Sequence, residues 1–412
     1  MELLANIDNP RQLEKFYREN KSGFKAEFNS LYNEIKDHQL AVYWHERLNY
    51  EASEISWGSN SELAFVIFCS LLAGLFAKFP TIFHLNPEMF YPRNLGLIIF
   101  PVLTMYFIWR KNLSTTKIVV AGFSFAAAAF FINLLPGDFK SDTLVLSCIH
   151  LPLFLWAVFG FTFVGNDIRS YQYRLEFLRF NGDLAIMTGL ILAAGGLLTG
   201  ITISLFSVIG FHIETFYFEY IGIFGLAAAP IVAAYITQLN PQLINKVSPV
   251  IAKIFSPLVL IMLAVYLGAV LYAGKDPYND RNFLMVFNLL LLGVMVIILF
   301  AVAESSKKEQ SQSGSYILFA LSIVTILVNG VALSAILFRI STWGITPNRL
   351  AVMGANILML INLCMITYRL YKSVSQKASL IEVENSISKF LPVYLIWTII
   401  VTFIFPFLFQ FK

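Results

Sequence analysis

Apolar residues fall along this chain in long runs, and polar residues gather at the run ends and in short connections between them. The runs lie at about 63–83, 95–109, 116–135, 143–164, 184–209, 216–237, 248–273, 283–303, 315–338, 347–370 and 391–409. Most approach the roughly 20 residues that a helix needs to cross a hydrocarbon layer about 30 Å thick. The second run is short, and Pro101 is expected to interrupt it. The fifth is rich in glycine, and Gly196 with Gly200 makes a small-xxx-small step suited to close helix contact. In the sixth, Ala227, Ala228 and Ala229 precede Pro230, which predicts a kink with a tightly packed face. The connection 166–183 reads as a short interfacial helix, with Asn181-Gly182-Asp183 opening the next span. Ser305–Ser315 and Ser373–Ser388 read as solvated loops.

The first sixty residues have a different pattern. Asn9-Pro10 followed by Gln12 has the form of a helix start, with a capping Asn and Pro in the first turn. Phe24, Phe28, Leu31 and Ile35 recur at helical spacing, as do Leu40, Trp44, Leu48 and Ile55. This segment is expected to lie along the membrane surface or against the cytoplasmic ends of the bundle. The fold class is therefore all-α: a polytopic transmembrane helix bundle of about eleven spans over residues 62–412, preceded by a short helical cytoplasmic segment, 1–61.

Composition supports this class. Of 412 residues, 58% are hydrophobic and only 13% charged, with 39 Phe. A soluble core of this length could not hide that much apolar surface. The net charge of +4 is small, and no clustered basic stripe points to nucleic acid. Cys69, Cys148 and Cys364 each sit in an apolar run and have no CxxC spacing, so they read as small hydrophobes, not metal or redox ligands. His38 and His45 read as surface residues, and no metal or cofactor is expected. The first sixty residues carry no signal-peptide pattern, so the first apolar run is expected to direct its own insertion. With the N-terminus inside, most Lys and Arg fall on cytoplasmic connections, among them Arg110, Lys111, Arg174, Arg179, Arg369 and Lys372. This bias predicts a cytoplasmic N-terminus and a C-terminus outside.

Candidate chemistry follows from that topology. Lys78, His150, Glu219, Asn329, Arg339, Arg349 and Asn356 all fall in outer halves or at outer ends of spans, as do Asn133 and Asn288. Ionisable groups in hydrocarbon need partners or water, so the first seven are candidates for an outward-facing polar cavity. Each also has an ordinary reading: Lys78 can snorkel, Glu219 can lie in the interface, His150 can be a packing residue, and the asparagines can bridge helices. The stretch Phe338–Arg349 predicts a tight turn, with Gly344 free to take positive φ, Thr346 as cap and Pro347 in the first turn of the next helix. Trp343 suits headgroup depth, and Arg339 and Arg349 could receive an anion or simply snorkel. No HExxH, GxSxG or GxxxxGK[ST] sequence occurs, no outer loop has the length of a catalytic domain, and no internal repeat is evident.

Arg339 with Gly344-Ile345-Thr346-Pro347-Asn348-Arg349-Leu350, together with the upstream Arg174–Arg179, resembles an uncharacterised bacterial family of multipass inner-membrane proteins, a domain of unknown function. The resemblance covers about Ala64 to Leu408 and implies a bacterial inner-membrane location but no catalytic residues. Three readings of function follow. The first is a transporter-like or lipid-handling protein that contacts membrane lipids and an anionic small molecule or lipid headgroup. The second is a membrane enzyme acting on a lipid or isoprenoid phosphate, with His150 as base. The third is an assembly or scaffold subunit that binds a protein partner through residues 1–61.

Overall fold

The structure, a computed structural model, describes residues 3, 6–19, 21–49, 57–136, 140–165, 170–208, 211–241, 256–265, 267–268, 278, 281–305, 312–375 and 380–412. The expectations for Ile55, for the start of the 166–183 connection, for the middle of the Ser305–Ser315 loop and for most of the 248–273 span lie outside these residues. Two compact units are present, Met1–Ser56 and Trp57–Lys412. Among the described residues every element is helical.

The first unit holds α1 (Pro10–Glu19), α2 (Lys21–Ile35) and α3 (Gln39–Asn49). Asn9 caps α1 as its sequence suggests, accepting from Gln12 N at 3.3 Å. The helical stripes converge on Leu13, Phe28 and Ala41, all fully buried, with Phe24 and Trp44 beside them. Each such aromatic side chain removes 150–250 Å² from water, enough to organise a three-helix unit of this size. Neither histidine is in a metal-like cluster: His38 Nδ1 lies 3.2 Å from Asp8 Oδ1, and the His45 ring stacks on Tyr32. Outside this core, Glu14 accepts from Arg18 Nε at 2.8 Å and faces Arg47 at 2.9 Å.

The second unit is the apolar bundle. In order it contains α4 (Asn60–Ala77), the short α5 (Phe79–Phe83), α6 (Pro87–Lys111), α7 (Thr115–Leu134), α8 (Asp142–Phe163) and α9 (Tyr171–Val208). Next come α10 (Glu214–Leu239), α11 (Ser256–Val265), α12 (Arg281–Ser305), α13 (Gln312–Trp343), α14 (Pro347–Val374) and α15 (Leu380–Ile399). Beyond α15, a π-helical turn, Ile400–Ile404, leads into Phe405–Leu408. Among the described residues nine helices are long and apolar enough to cross a membrane, and Ser256–Val265 and Phe287–Ala303 are shorter apolar helices. The chain is a membrane protein on this evidence; nine crossings are described where the apolar runs suggest about eleven.

Several local expectations change. Pro101 and Pro92 both lie inside a continuous α6, so the second run is not short. Residues 171–208 form one helix, with Asn181-Gly182-Asp183 inside it instead of opening a new one. The reason is tertiary. Asn181 donates to Phe177 O at 2.6 Å and accepts from Trp156 Nε1 at 2.8 Å, while Gly182 gives Phe300 room that a Cβ would occupy. Gly196 and Gly200 meet no described neighbour within 4 Å of where a Cβ would stand, so the expected close contact is not formed there. Polar residues 380–388, read as loop, begin α15 and bury Glu384, Ser386 and Ser388.

The two largest cores of the bundle differ in kind. One is aromatic, with Phe107, Phe159, Phe163, Phe177 and Phe180 bringing ring centres within 4.9–6.2 Å across α6, α8 and α9. Such pairs add roughly 0.5–1.5 kcal/mol each beyond area burial. The other, aliphatic, joins α12, α13, α14 and α15 through Phe287, Leu291, Leu321, Leu363 and Ile387. Elsewhere α4 closes on α10 at Gly74, where a Cβ would stand 2.1 Å from the Phe224 ring.

Gly74→Ala is expected to destabilise the protein by about 1–3 kcal/mol through overpacking, seen as a lower unfolding midpoint of the full chain in detergent. In the first unit, the hydrogen bond from Arg18, with Arg47 adding to it, holds the Glu14 carboxyl below its ordinary value of 4.5. A lowered folded pKa gives stabilisation that is complete above the ordinary value and lost as pH falls through the folded one. Glu14→Gln should therefore destabilise the protein at pH 7 and progressively less as pH falls below 4.5, measured by thermal unfolding across that range.

Candidate functional site

Hydrogen bonds across helices sort the bundle's polar residues into two ends. At one end Tyr91 donates to Ala77 O at 3.0 Å, Thr143 N donates to Lys412 O at 2.9 Å, and Ser141 Oγ donates to Phe411 O at 2.8 Å. The C-terminus of α4, the N-termini of α6 and α8, and residues 411–412 therefore lie at one level. The opposite end gathers the α4 and α15 N-termini with the α6 and α8 C-termini. There Glu62 receives Tyr106 Oη at 2.9 Å and Arg110 Nη1 at 2.8 Å, and Lys111 donates to Phe163 O.

The seven sequence candidates fall into separate groups. Lys78, the C-cap of α4, has a side chain 9% exposed. Its Nζ is 3.4 Å from the centre of the Tyr220 ring and 3.8 Å from Glu219 Oε1. Both partners belong to a π-helical turn, Tyr217–Gly222, at the start of α10. A turn with an extra residue re-aims its side chains relative to an α-helix, and π-bulges recur at functional sites. At 3.8 Å the pair is within electrostatic contact but makes no hydrogen bond.

Asn329 and Asn356 form a second group. Asn356 Nδ2 donates to Asn288 Oδ1 at 2.8 Å, and Asn329 Nδ2 donates to Asn356 O at 3.2 Å. These neutral amides, with Asn329 wholly buried, tie α12, α13 and α14 together. In the third group, Gly344 takes φ +78°, Thr346 Oγ1 accepts from Arg349 N at 3.3 Å, and Pro347 opens α14. Arg349 Nη1 donates to Trp343 O at 2.8 Å and Gly344 O at 2.7 Å, which terminates α13. Arg339 and Arg349 lie over the same Trp343 ring, at 5.0 Å and 5.7 Å from its centre. His150 stands apart, with Nδ1 2.9 Å from Leu146 O on its own helix. That is how a histidine packs in a helix, and no second polar group joins it among the described residues.

A groove of about 460 Å³ opens beside the turn, lined by Asp142, Ile345, Thr346, Pro347, Leu408, Phe409, Gln410 and Lys412. None of the seven candidates lines it. Among the described residues no cluster of three or more His, Cys, Asp or Glu could hold a metal ion.

Sequence reasoning missed the polar residues that hold helices together. Arg93 Nη1 donates to Ile132 O at 3.0 Å and Leu135 O at 3.1 Å, covering carbonyls left open at the end of α7. Asn94 and Asn133 exchange amide hydrogen bonds at 2.8 Å and 3.0 Å. Arg179 donates to Glu384 at 2.9 Å and to Ala303 O at 2.5 Å. The available signal was a charge inside a helical run: Glu62 stands within the first turn of α4.

Arg179→Met should cost about 3–5 kcal/mol, because the Glu384 carboxylate, only 6% exposed, loses its guanidinium. Adding Glu384→Gln should recover part of that loss, and a double-mutant cycle on unfolding midpoints measures the coupling.

No protein-family model matches the chain, and no curated protein or solved structure matches it. The likeness to the multipass inner-membrane family therefore rests on the turn motif and the Arg174–Arg179 segment, and the fold and composition identify a membrane protein.

Proposed function

We propose that this is a transporter-like or lipid-handling membrane protein of about eleven spans, in which Lys78 and Glu219 form the working pair. The observation that carries the reading is their geometry. A nearly buried ammonium faces a carboxylate 3.8 Å away without a hydrogen bond, and the carboxylate rides on a π-helical turn. Charges removed from water are poorly compensated unless their donors and acceptors are satisfied. An anionic group entering here gains the Lys78 charge, and protonation of Glu219 releases Lys78 to receive it. Binding and proton uptake are then linked through one contact.

The span count draws support from α11 and α12, which add two apolar helices to the nine. It is also supported by Ala303, near the end of α12, which meets Arg179 at the Arg110 end. That end collects Arg110, Lys111, Arg174, Arg179 and Arg369, which favours its being cytoplasmic, with the Lys78 end outside. A bacterial inner membrane is the location suggested by the turn motif.

The test uses the full chain in phosphatidylglycerol-containing vesicles. Transbilayer movement of a fluorescent phosphatidylglycerol and proton flux reported by an internal pH dye are followed in parallel. The intact protein should accelerate at least one of them, and Lys78→Met or Glu219→Gln should each slow it about tenfold or more with unchanged unfolding midpoints. A protein no faster than empty vesicles in both assays, or variants at the intact rate, would remove the proposal.

A further inference from the structure

The turn between α13 and α14 carries two guanidinium groups whose charges no described carboxylate neutralises. Arg349 is partly committed, because its Nη1 already holds the carbonyls of Trp343 and Gly344. Arg339 is different. It stacks on Trp343 and makes no hydrogen bond to any described residue, and its Nη1 is shielded from solvent without an acceptor. A shielded cationic donor with nothing to donate to costs free energy, and an anion removes that cost. Asp142 is the acidic residue near the turn, across the groove lined by Thr346 and Pro347, and it forms no ion pair with either arginine. Lys412 lines the same groove.

The surroundings indicate where the anion comes from. Trp343 is 46% exposed and Ile345 63%, with Leu337 and Phe338 exposed on the preceding turns. An indole beside arginines at the end of an apolar helix is the arrangement found at the level of lipid headgroups. A guanidinium carries its donors in a planar fork that matches two oxygens of one phosphate, which a lysine could not.

We propose that Arg339, held over Trp343 and flanked by Arg349, binds the phosphate of an anionic lipid headgroup. The site does not depend on the Lys78–Glu219 reading, since the two groups share no residue. The full-length protein is purified in an uncharged detergent and its unfolding midpoint is followed with added phosphatidylglycerol, phosphatidylcholine or inorganic phosphate. Phosphatidylglycerol should raise the midpoint more than phosphatidylcholine, and Arg339→Gln should raise the lipid concentration for half effect about fivefold, the contribution of one basic residue near an anionic surface. Arg339→Lys, which retains charge without the fork, covers the case in which Arg339→Gln fails to fold, and it should also weaken the effect. Lys78→Met should leave the lipid effect intact, separating this site from the proposed transport pair. Equal action of the two lipids, or an unchanged effect in both Arg339 variants, would overturn the site. Inorganic phosphate acting at the lipid's own concentrations would overturn the lipid assignment.

Discussion

Arg179 is the joint on which the bundle depends. Its guanidinium reaches from α9 to the last turn of α12 through Ala303 O and to the first turns of α15 through Glu384. Neighbouring contacts repeat the connection, with Arg174 donating to Ser388 O at 3.4 Å and Ser388 Oγ to Tyr171 O at 2.9 Å. These elements belong to different cores, one aromatic and the other aliphatic. Apolar packing between membrane helices is non-specific when lipid is as apolar as the partner helix. A charge-assisted contact with one acceptable geometry therefore does what Phe and Leu packing alone does not: it sets how α9, α12 and α15 meet.

The two ends of the bundle hold charge in different ways. At the Arg110 end, arginines close directly on carboxylates: Glu62 with Arg110 at 2.8 Å, Arg179 with Glu384 at 2.9 Å and Arg369 with Glu382 at 2.5 Å. At the Lys78 end, the described carboxylate contacts stand at 3.8 Å, for Lys78 with Glu219 and for His212 with Glu214. Cations there rest on ring faces and backbone carbonyls, as Arg93, Arg339 and Arg349 do. At the Arg110 end the shielded pairs Glu62–Arg110 and Arg179–Glu384 are costly to break, while the exposed Arg369–Glu382 pair adds little.

Helix punctuation was readable residue by residue. Asn9, Gly344, Thr346 and Pro347 act locally, and each occupies the position that its backbone chemistry predicts. The membrane class was equally plain from the apolar runs. What could not be read is which way a polar residue near a helix end faces. Glu62 and Arg110 stand 48 residues apart in sequence and Arg179 and Glu384 205 apart, so nothing in their local sequence announces a partner. Residues 380–388 looked like loop because Glu384, Ser386 and Ser388 are polar, and they are helical because α9 satisfies Glu384 and Ser388. Asn181-Gly182-Asp183 looked like a break for the same reason, until Trp156 and Phe300 supplied its context. The seven candidate residues form separate constellations, because three-dimensional neighbours are set by helix order and not by depth.

α9 has a geometric consequence. Thirty-eight uninterrupted helical residues make a rod about 57 Å long, nearly twice the hydrocarbon thickness. Its first turns carry Arg174 and Arg179 on fixed partners, while Leu197, Leu198 and Ile201 on its distal half are exposed. An α-helix without a proline or π turn is stiff, so one rod carries both the Arg179 contacts and, on its distal half, the contact of Thr199 Oγ1 with Tyr217 Oη at 3.5 Å. A span longer than the hydrocarbon layer must tilt or project beyond it, and the contacts of Arg174 and Arg179 sit towards one end of that length.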